Sequence, residues 1–170
     1  AKSLKSFGLE KDAFALVVGT LEPRKNPGVL LDAWRKLYEK YGDRTPKLVF
    51  VGKMGWKIDW FFDDLRRVNH LNQLVRHLKG VKDRDLSTLY RRANVVLFPS
   101  FAEGWGLPVE EAVAYGKHVL ASNATSVPEA GRDAAFYFDP LDADAIVDEV
   151  SRCLDEENYL AEREAMVSKR

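Results

Sequence analysis

Short apolar segments alternate with amphipathic helical patterns along almost the whole chain. The apolar runs at 14–19, 47–52, 74–80, 95–99, 118–122 and 134–139 are typical of β-strands. Helical patterns lie between or after them, at about 27–42, 56–71, 84–93, 108–115 and 142–157. The first, second and fourth runs are almost continuously hydrophobic, as expected for strands buried on both faces of a parallel sheet. This alternation predicts right-handed βαβ units and an α/β fold, an open doubly wound parallel sheet of about six strands.

The length and charge balance predict one globular domain with no general attraction for polyanions. A chain of 170 residues is long enough for one well-buried core and short for two domains of ordinary size. Lys and Arg number 26, as do Asp and Glu, so no overall field draws the chain to nucleic acid. No apolar run approaches the ~18 residues of a membrane-spanning helix. We therefore expect no nucleic-acid partner and at most peripheral contact with a membrane.

The loops that follow the predicted strands are richer in special residues than turns require. In a doubly wound sheet, ligands bind in the crevice outside the carboxyl ends of the strands. The loops after the first, second, fourth and fifth strands read GTLEPRKN, GKMGW, SFAEGWG and SNATSVPEAG. Glycine and small polar or charged residues recur in them. Because these loops share one edge of the sheet, they predict a ligand site there.

The loop after the first strand has the features of an anion site. Gly19 ends the strand, and Arg24 and Lys25 stand just before a helix. Asn26 is a candidate N-cap, with Pro27 at the first helical position. Two cations beside a helix N-terminus attract an anion, because free N–H groups, the helix dipole and side-chain charge act together. The alternative is that both cations are solvated loop charges.

The loop FAEGWGLPVEE combines glycines with carboxylates. Gly104 and Gly106 allow a ligand to approach the backbone, and Pro108 suits the first position of a helix. Glu111 then falls near the first helical turn, where it can accept two hydrogen bonds from a ribose diol. Glu103, on the loop itself, would lie near whatever extends beyond the phosphates. The alternative, a turn with carboxylates that favour the helix dipole, explains Glu103 and the glycines poorly.

No metal site is predicted from the spacing of acidic, histidine or cysteine residues. Asp83 and Asp85 match a D-x-D pattern that binds a divalent metal and a sugar diphosphate in some enzymes. They immediately precede the helical pattern LSTLYRRA, so we interpret Asp83 as an N-cap and Asp85 as a first-turn residue. The histidines lack the spacing of metal ligands, and the single cysteine, Cys153, has no partner in the sequence.

Taken in order, these segments resemble the retaining GT-B glycosyltransferases. EGWGLPVEE, with Glu103 and Glu111 as an E-x7-E pair, resembles the nucleotide-binding motif of that family. The resemblance continues through VGTLEPRKN, LVFVGKMGW, LKGVKDRDLSTLYRRANVVLFPS and ASNATSVPEAGRDAAFYFDPLDADAI. It implies that residues 1–170 form a Rossmann-like nucleotide-sugar donor-binding domain, one half of a GT-B enzyme whose N-terminal acceptor domain is absent from this chain. The chain starts without methionine, and we expect it to be a piece of a longer enzyme that is inactive alone.

The resemblance also assigns roles to individual residues. Lys25, with Arg24 beside it, would neutralise the donor diphosphate, and Glu103 would contact the transferred sugar; these are the candidate catalytic residues. Glu111 would hold the ribose hydroxyls. Backbone N–H groups around position 106 would bind phosphate, and residues 81 and 82 would border the base. Besides the three catalytic candidates, the donor-binding candidates are Gly19, Thr20, Val81, Lys82, Gly104, Gly106, Leu107 and Glu111.

Departures from the family pattern bear on the substrate. Many members have Arg where Thr20 stands, so more of the cationic role would fall on Arg24. His118 replaces a common proline, which we expect to affect only the start of a strand. The PRKN variant resembles mannosyltransferases of O-antigen and exopolysaccharide synthesis that use GDP-mannose. The alternatives are a UDP-sugar (glucose-type) transferase and a nucleotide-sugar-binding module without activity.

The resemblance implies partners and a location as well. The nucleotide-sugar donor would be bound without a metal cofactor. The other partners would be the protein's own missing N-terminal domain and a glycan or lipid-linked acceptor. The expected location is the cytoplasm, with the inner face of the membrane as a further option.

Overall fold

A six-stranded parallel sheet forms the centre of the protein in the computed structural model, which describes residues 2–169 and the side chains of residues 4–169. The strands are β1 (Phe14–Val18), β2 (Lys47–Val51), β3 (Val75–Leu78), β4 (Val95–Phe98), β5 (His118–Ser122) and β6 (Ala135–Phe138). Every neighbouring pair is parallel, in the order β3-β2-β1-β4-β5-β6. The predicted Rossmann-like, doubly wound α/β fold is confirmed.

Helices cover both faces of the sheet. They are α1 (Lys2–Ser6), α2 (Pro27–Tyr41), α3 (Asp59–Arg67), α4 (Asn69–Gln73), α5 (Asp83–Arg92), α6 (Leu107–Ala114), α7 (Val127–Gly131), α8 (Ala143–Asp155) and α9 (Tyr159–Ser168). Short 3-10 turns occupy Pro23–Lys25, Gly42–Arg44 and Arg132–Ala134. The helix predicted over 56–71 is shorter, since α3 ends at Arg67. The segment α4 that follows has positive φ at all five residues, so it is a left-handed turn through which a right-handed helix cannot continue. The helices α1, α7 and α9 lie outside the predicted helical patterns.

The core consists of one hydrophobic cluster on each face of the sheet. Along β1, Ala15 packs into one cluster, whereas Phe14 and Leu16 pack into the other. This burial of both faces explains why the strand is hydrophobic throughout. Trp34 of α2 is fully buried in the first cluster, and its indole N–H donates to the carbonyl of Pro46 at 2.8 Å. Over residues 2–169, no helix is both long and apolar enough to cross a membrane.

Two helix starts differ from the prediction by one residue. Asp83 is the first residue of α5 rather than its N-cap. The N-cap is Lys82, because its backbone is extended (φ −78°, ψ 153°) and the helical conformation begins at the next residue. Asp85 lies in the first turn as predicted, where the helix dipole favours a carboxylate. The other helix, α6, begins at Leu107, so Pro108 occupies its second position.

Candidate functional site

A crevice opens where the strand order of the sheet reverses. The chain adds strands on one side from β1 to β3 and on the other from β4 to β6, so β1 and β4 are neighbours at the switch point. Their carboxyl ends line the crevice, together with one residue of β2. The lining residues are Val17, Val18, Gly19, Thr20, Leu21, Lys25, Pro27, Phe50, Phe98, Pro99 and Ser100. The structure thus brings Gly19, Thr20 and Lys25 of the predicted set to the edge where open α/β sheets bind ligands.

Two cations from the β1–α2 loop converge on one carboxylate from the β4–α6 loop. Lys25 Nζ lies 2.6 Å from Glu103 Oε1, and Arg24 Nη1 lies 2.9 Å from Glu103 Oε2. Arg24 also contacts Glu22 Oε1 through Nη2 at 2.6 Å, and its Nη1 donates to the carbonyl of Ala102 at 2.6 Å. The Glu103 side chain is only 9% exposed. The predicted catalytic residues therefore form one cluster at the crevice, hereafter the Arg24–Lys25–Glu103 cluster.

The charges of this cluster stabilise one another. Burial by itself would raise the pKa of Glu103, but hydrogen bonds from Lys25 and Arg24 outweigh it and hold that pKa below its usual range. The same carboxylate raises the pKa of Arg24. Glu103 is consequently ionised at neutral pH. It pairs with both cations that the family resemblance assigns to the donor diphosphate.

Asn26 fixes the β1–α2 loop in a way that differs from the prediction. It precedes α2 in a left-handed conformation (φ 52°, ψ 50°), and its side chain does not cap the helix. Instead its Nδ2 donates to the carbonyl of Pro99 at 3.0 Å and to that of Pro140 at 2.6 Å. Phe101 N also donates to Arg24 O at 2.9 Å. The predicted capping role is therefore wrong, and Asn26 connects this loop to the loops after β4 and β6.

The loop after β5 holds the backbone of Glu103, which the sequence reading missed. Glu103 N donates to Thr125 Oγ1 at 3.0 Å, and Ser126 Oγ donates to Glu103 O at 2.8 Å. Thr125 has a φ of 50°, an uncommon conformation for a β-branched residue. The small polar residues of SNATSVPEAG were the available signal, but they did not show which neighbouring loop they would contact.

A helix N-terminus lies directly after the cluster. Gly106 precedes α6 with φ 115°, a conformation that favours glycine, and it offers no side chain to cap the first N–H groups. Gly104 is exposed, and a Cβ atom there would meet nothing within 4 Å. Leu107, the first residue of α6, is also exposed. Pro108 has no N–H, and Val109 N donates to Gly106 O at 2.9 Å. This end of α6 therefore presents the positive end of a helix dipole and the N–H of Leu107, which no side chain caps.

Glu111 and Glu103 have different surroundings. Glu111 lies on α6, where its Oε2 accepts a 2.7 Å hydrogen bond from the hydroxyl of Tyr90 on α5. Tyr90 is buried and stacks on Tyr115, with ring centroids 5.0 Å apart and planes 12° apart. Burial, reinforced by Glu111, raises the pKa of the Tyr90 hydroxyl, so it donates the bond. The carboxylate of Glu111 is thus oriented toward α5, apart from the Arg24–Lys25–Glu103 cluster.

The residues assigned to the base lie at the same edge of the sheet but further from the switch point. Val81 and Lys82 connect β3 to α5, and β3 is separated from β1 by β2. Val81 packs against the second hydrophobic cluster, whereas Lys82 is exposed. Neither contacts the Arg24–Lys25–Glu103 cluster through a hydrogen bond or ion pair among those found over residues 4–169.

Comparison with known proteins places the chain in a family. Residues 2–169 match the sequence model of the family described as glycosyl transferases group 1. The chain belongs to the glycosyl transferases group 1 family. This group 1 chain is 38% identical over 156 residues to the O-antigen chain mannosyltransferase B of Escherichia coli, a match that covers 92% of this chain and 40% of that protein.

Solved structures resemble the group 1 chain over nearly its whole length. A glycosyltransferase from Rickettsia africae ESF-5 superposes with a TM-score of 0.81 at 17% identity, covering 98% of this chain and 44% of that one. Anabaena HepE, solved with UDP and glucose, gives a TM-score of 0.78 at 20% identity, covering 99% and 47%. At such identities the likeness establishes the fold alone. The group 1 chain spans less than half the length of each of these three proteins.

A second polar cluster of the group 1 chain lies at the opposite end of β5. His118 Nε2 lies 2.7 Å from Glu149 Oε1, and the hydroxyl of Tyr159 donates to the same oxygen at 2.6 Å. A ligand atom of Cys153 lies within 4.8 Å of those of His118 and Glu149. Burial raises the pKa of the Cys153 thiol to about 12, so it stays protonated. The cluster connects β5 to α8 and α9, and the expectation that His118 affects only the start of a strand is wrong.

Proposed function

We propose that this chain is the nucleotide-sugar donor-binding domain of a hexosyltransferase that moves mannose from GDP-mannose to a glycan or lipid-linked acceptor in polysaccharide synthesis. The observation that carries the proposal is the convergence of Arg24, Lys25 and Glu103 at the switch-point crevice, beside the uncapped start of α6. The 38% identity to a named mannosyltransferase supports the sugar.

The chemistry of glycosyl transfer explains why these groups meet. A nucleoside diphosphate leaves the sugar, and negative charge grows on its phosphate oxygens as the bond breaks. Lys25, Arg24 and the start of α6 would stabilise that charge once the phosphates take the place of Glu103. We propose that this arrangement needs no metal ion. A chelator should therefore leave both nucleotide binding and transfer by the longer enzyme unchanged.

We assign Glu103 and Glu111 to different parts of the donor according to where each carboxylate lies. A bound diphosphate would replace Glu103 at Lys25 and Arg24, and the released carboxylate would accept hydrogen bonds from hydroxyls of the transferred sugar. Glu111 would hold the ribose diol with one oxygen while Tyr90 donates to the other. Val81 and Lys82 would border the base.

The proposed reaction retains the anomeric configuration through an oxocarbenium-like, same-face displacement. The alternative is a double displacement, which requires a carboxylate nucleophile, and Glu103 is the candidate in this crevice. We favour the same-face route, in which Glu103 binds hydroxyls of the transferred sugar and forms no covalent intermediate.

The acceptor-binding site would lie mainly in a part of the enzyme outside this chain. The match covers 40% of the mannosyltransferase relative, which leaves room for a separate acceptor domain in a longer protein. We propose that the chain alone binds donor without transferring the sugar. The expected location of the longer enzyme is the cytoplasm, including the inner face of the membrane.

Calorimetric titration of the chain with GDP, UDP and ADP tests the proposal. We expect GDP to bind with the highest affinity, and Lys25→Met to weaken binding by about tenfold or more, since a charge-assisted contact is lost. Lys36→Met, which removes an exposed lysine on α2, is the matched control and should have no effect. Preference for UDP would instead indicate a glucose-type transferase. Failure of all three nucleotides to bind a folded chain would refute the donor site.

A further inference from the structure

Hydroxyl side chains after β5 hold the backbone of the loop that carries Glu103. Thr125 Oγ1 accepts a hydrogen bond from Glu103 N at 3.0 Å and lies 3.3 Å from Glu103 O. Ser126 Oγ donates to the same carbonyl at 2.8 Å. At the end of β5, the buried Ser122 donates through Oγ to Ser100 O at 2.6 Å. Both backbone polar groups of Glu103 are therefore satisfied by Thr125 and Ser126, hereafter the β5 hydroxyl pair.

The loop after β4 has little backbone pairing of its own. Over residues 4–169, one hydrogen bond between backbone groups outside the helices and strands involves residues 99–105, and it runs from Phe101 N to Arg24 O at 2.9 Å. Gly104 adds conformational freedom next to Glu103, and a Cβ atom on it would meet nothing within 4 Å. The position of the Glu103 backbone consequently depends on the β5 hydroxyl pair.

Thr125 adopts a backbone conformation that glycine would take more easily. Its φ is 50°, which is uncommon for a β-branched residue. The turn around it is fixed, because Val127 N donates to Ala124 O at 3.2 Å and the Val127 side chain is buried. Threonine supplies the hydroxyl that reaches Glu103, which glycine would lack. Backbone strain of this kind persists where the surrounding structure holds it, and it is common at functional sites.

The β5 hydroxyl pair approaches Glu103 from outside the crevice. The crevice is lined by residues of β1, β2 and β4 and of the segments that follow β1 and β4. Lys25 and Arg24 contact the carboxylate of Glu103, whereas the β5 hydroxyl pair contacts its main chain. Because the two sets of contacts are separate, the carboxylate can change its partners while the main chain stays in place.

We propose that Thr125 and Ser126 are positioning residues for sugar binding, which keep the Glu103 main chain in place when its carboxylate turns from the two cations to hydroxyls of the transferred sugar. This assignment rests on the proposed function, because Glu103 contacts a sugar only if the crevice binds a nucleotide-sugar. Neither residue of the pair would touch the donor. Their effect would appear in the sugar contribution, defined as the ratio of the dissociation constants of GDP and GDP-mannose.

Calorimetric titration of Thr125→Gly with GDP and GDP-mannose tests the proposal. The variant removes the hydroxyl and also the strain of the positive φ, so its urea midpoint should stay close to that of the wild type. The sugar contribution should nevertheless fall about three- to tenfold, because a hydrogen bond that orders Glu103 is lost. GDP alone should bind within about twofold of the wild type, since its phosphates would contact Lys25, Arg24 and α6.

Three further variants separate the hydroxyl from other properties of the side chain. Ser126→Ala should also lower the sugar contribution, because it removes the second hydroxyl of the pair. Thr125→Ser keeps the hydroxyl and should keep the sugar contribution within about twofold of the wild type. Thr88→Val, which removes a hydroxyl that donates to Arg84 O at 3.2 Å on α5, is the matched control and should change neither affinity.

A double-mutant cycle shows whether Thr125 acts through the carboxylate. In a Glu103→Gln background, Thr125→Gly should lower the remaining sugar contribution by less than about twofold, because the group that it positions is already altered. An equal loss in both backgrounds would mean that Thr125 touches the sugar itself, and the positioning role would be overturned.

The same titrations separate this proposal from the proposed function. If GDP-mannose binds more tightly than GDP and Thr125→Gly leaves that ratio unchanged, even with a lower urea midpoint, the positioning role is refuted and the donor site stands. If GDP binds and mannose adds nothing to the affinity, Glu103 does not hold the sugar and the positioning role fails without the nucleotide site. Failure of every nucleotide to bind the folded chain would refute the proposed function, and the positioning role with it. UDP and UDP-glucose replace this pair of ligands if UDP binds more tightly than GDP.

Discussion

Replacing Glu103 with glutamine removes the negative charge that Lys25 and Arg24 share. If a diphosphate takes the place of this carboxylate, its removal should strengthen the binding of free GDP. The opposite result would be expected if Glu103 contacted the nucleotide directly. The variant therefore tests whether the carboxylate competes with the phosphates or cooperates with them.

The magnitude follows from the two ion pairs. The Lys25–Glu103 pair joins side chains that are 19% and 9% exposed over 2.6 Å. A hydrogen bond to a charged group contributes ~1.5–3 kcal/mol and a neutral one ~0.5–1.5, so the change to glutamine weakens this pair by ~1–1.5 kcal/mol. The Arg24 pair adds at most ~0.5 kcal/mol, because solvent screens an arginine that is 45% exposed. Competition of ~1–2 kcal/mol corresponds to a GDP affinity about 5–30-fold higher in the variant.

Calorimetric titration with GDP and GDP-mannose provides the measurement. The gain should be smaller for GDP-mannose than for GDP, because glutamine is a weaker acceptor for sugar hydroxyls than a carboxylate. Glu22→Gln is the matched control: it removes the second carboxylate at Arg24 without touching Lys25, and it should raise GDP affinity by less than about threefold. Unchanged or weaker GDP binding to Glu103→Gln would refute the exchange of carboxylate for diphosphate.

Three further predictions concern ribose binding, backbone packing and pH. Glu111→Ala should weaken GDP and GDP-mannose by the same factor, about tenfold or more, through loss of hydrogen bonds to the ribose; a calorimetric loss confined to GDP-mannose would contradict this. Gly52→Ala should lower the free energy of unfolding by about 2–4 kcal/mol in urea, because its Cβ would lie 2.0 Å from Gly19 O. Gly104→Ala, with open space around it, is the control and should change stability by less than about 1 kcal/mol. Burial lowers the pKa of His77 below 6.5. As the pH falls below 6.5 toward the folded-state pKa, the unfolded chain therefore binds more protons than the folded chain, and the free energy of unfolding should decrease. His77→Gln removes this group, so the urea midpoint of the variant should change less between about pH 7.5 and 5.5.

The strands and the ligand-binding edge were predictable because they depend on local patterns. Residues 14–18 are hydrophobic throughout, and a strand of this kind is stable only between two covered faces, as Phe14 and Ala15 show in opposite clusters. Pro27 marks the start of α2 because its φ is fixed and it has no N–H. Both properties are local and do not depend on tertiary contacts. The parallel order then places the loops after the strands at one edge. These conclusions need only periodicity and chain connectivity.

Side-chain partners at the site depended on tertiary placement. Lys25 and Glu103 are 78 residues apart, and no local pattern shows that they form an ion pair before any phosphate arrives. Asparagine is a preferred N-cap residue. The backbone of Asn26 is left-handed, however, and its side-chain amide donates to the carbonyls of Pro99 and Pro140. The hydrogen bond that Glu103 N donates to Thr125 Oγ1 likewise requires β4 and β5 to be neighbours.

By itself, the sequence determined the fold class, the edge that carries the loops and the residue types available there. Those properties follow from hydrophobic periodicity and from the short range of turn and helix preferences. Only the tertiary structure decided that the two cations already share a carboxylate, and that His118 at the start of β5 contacts Glu149 of α8. The physical reason is that an ion pair or buried hydrogen bond is governed by distance in space, which the packing of distant segments sets.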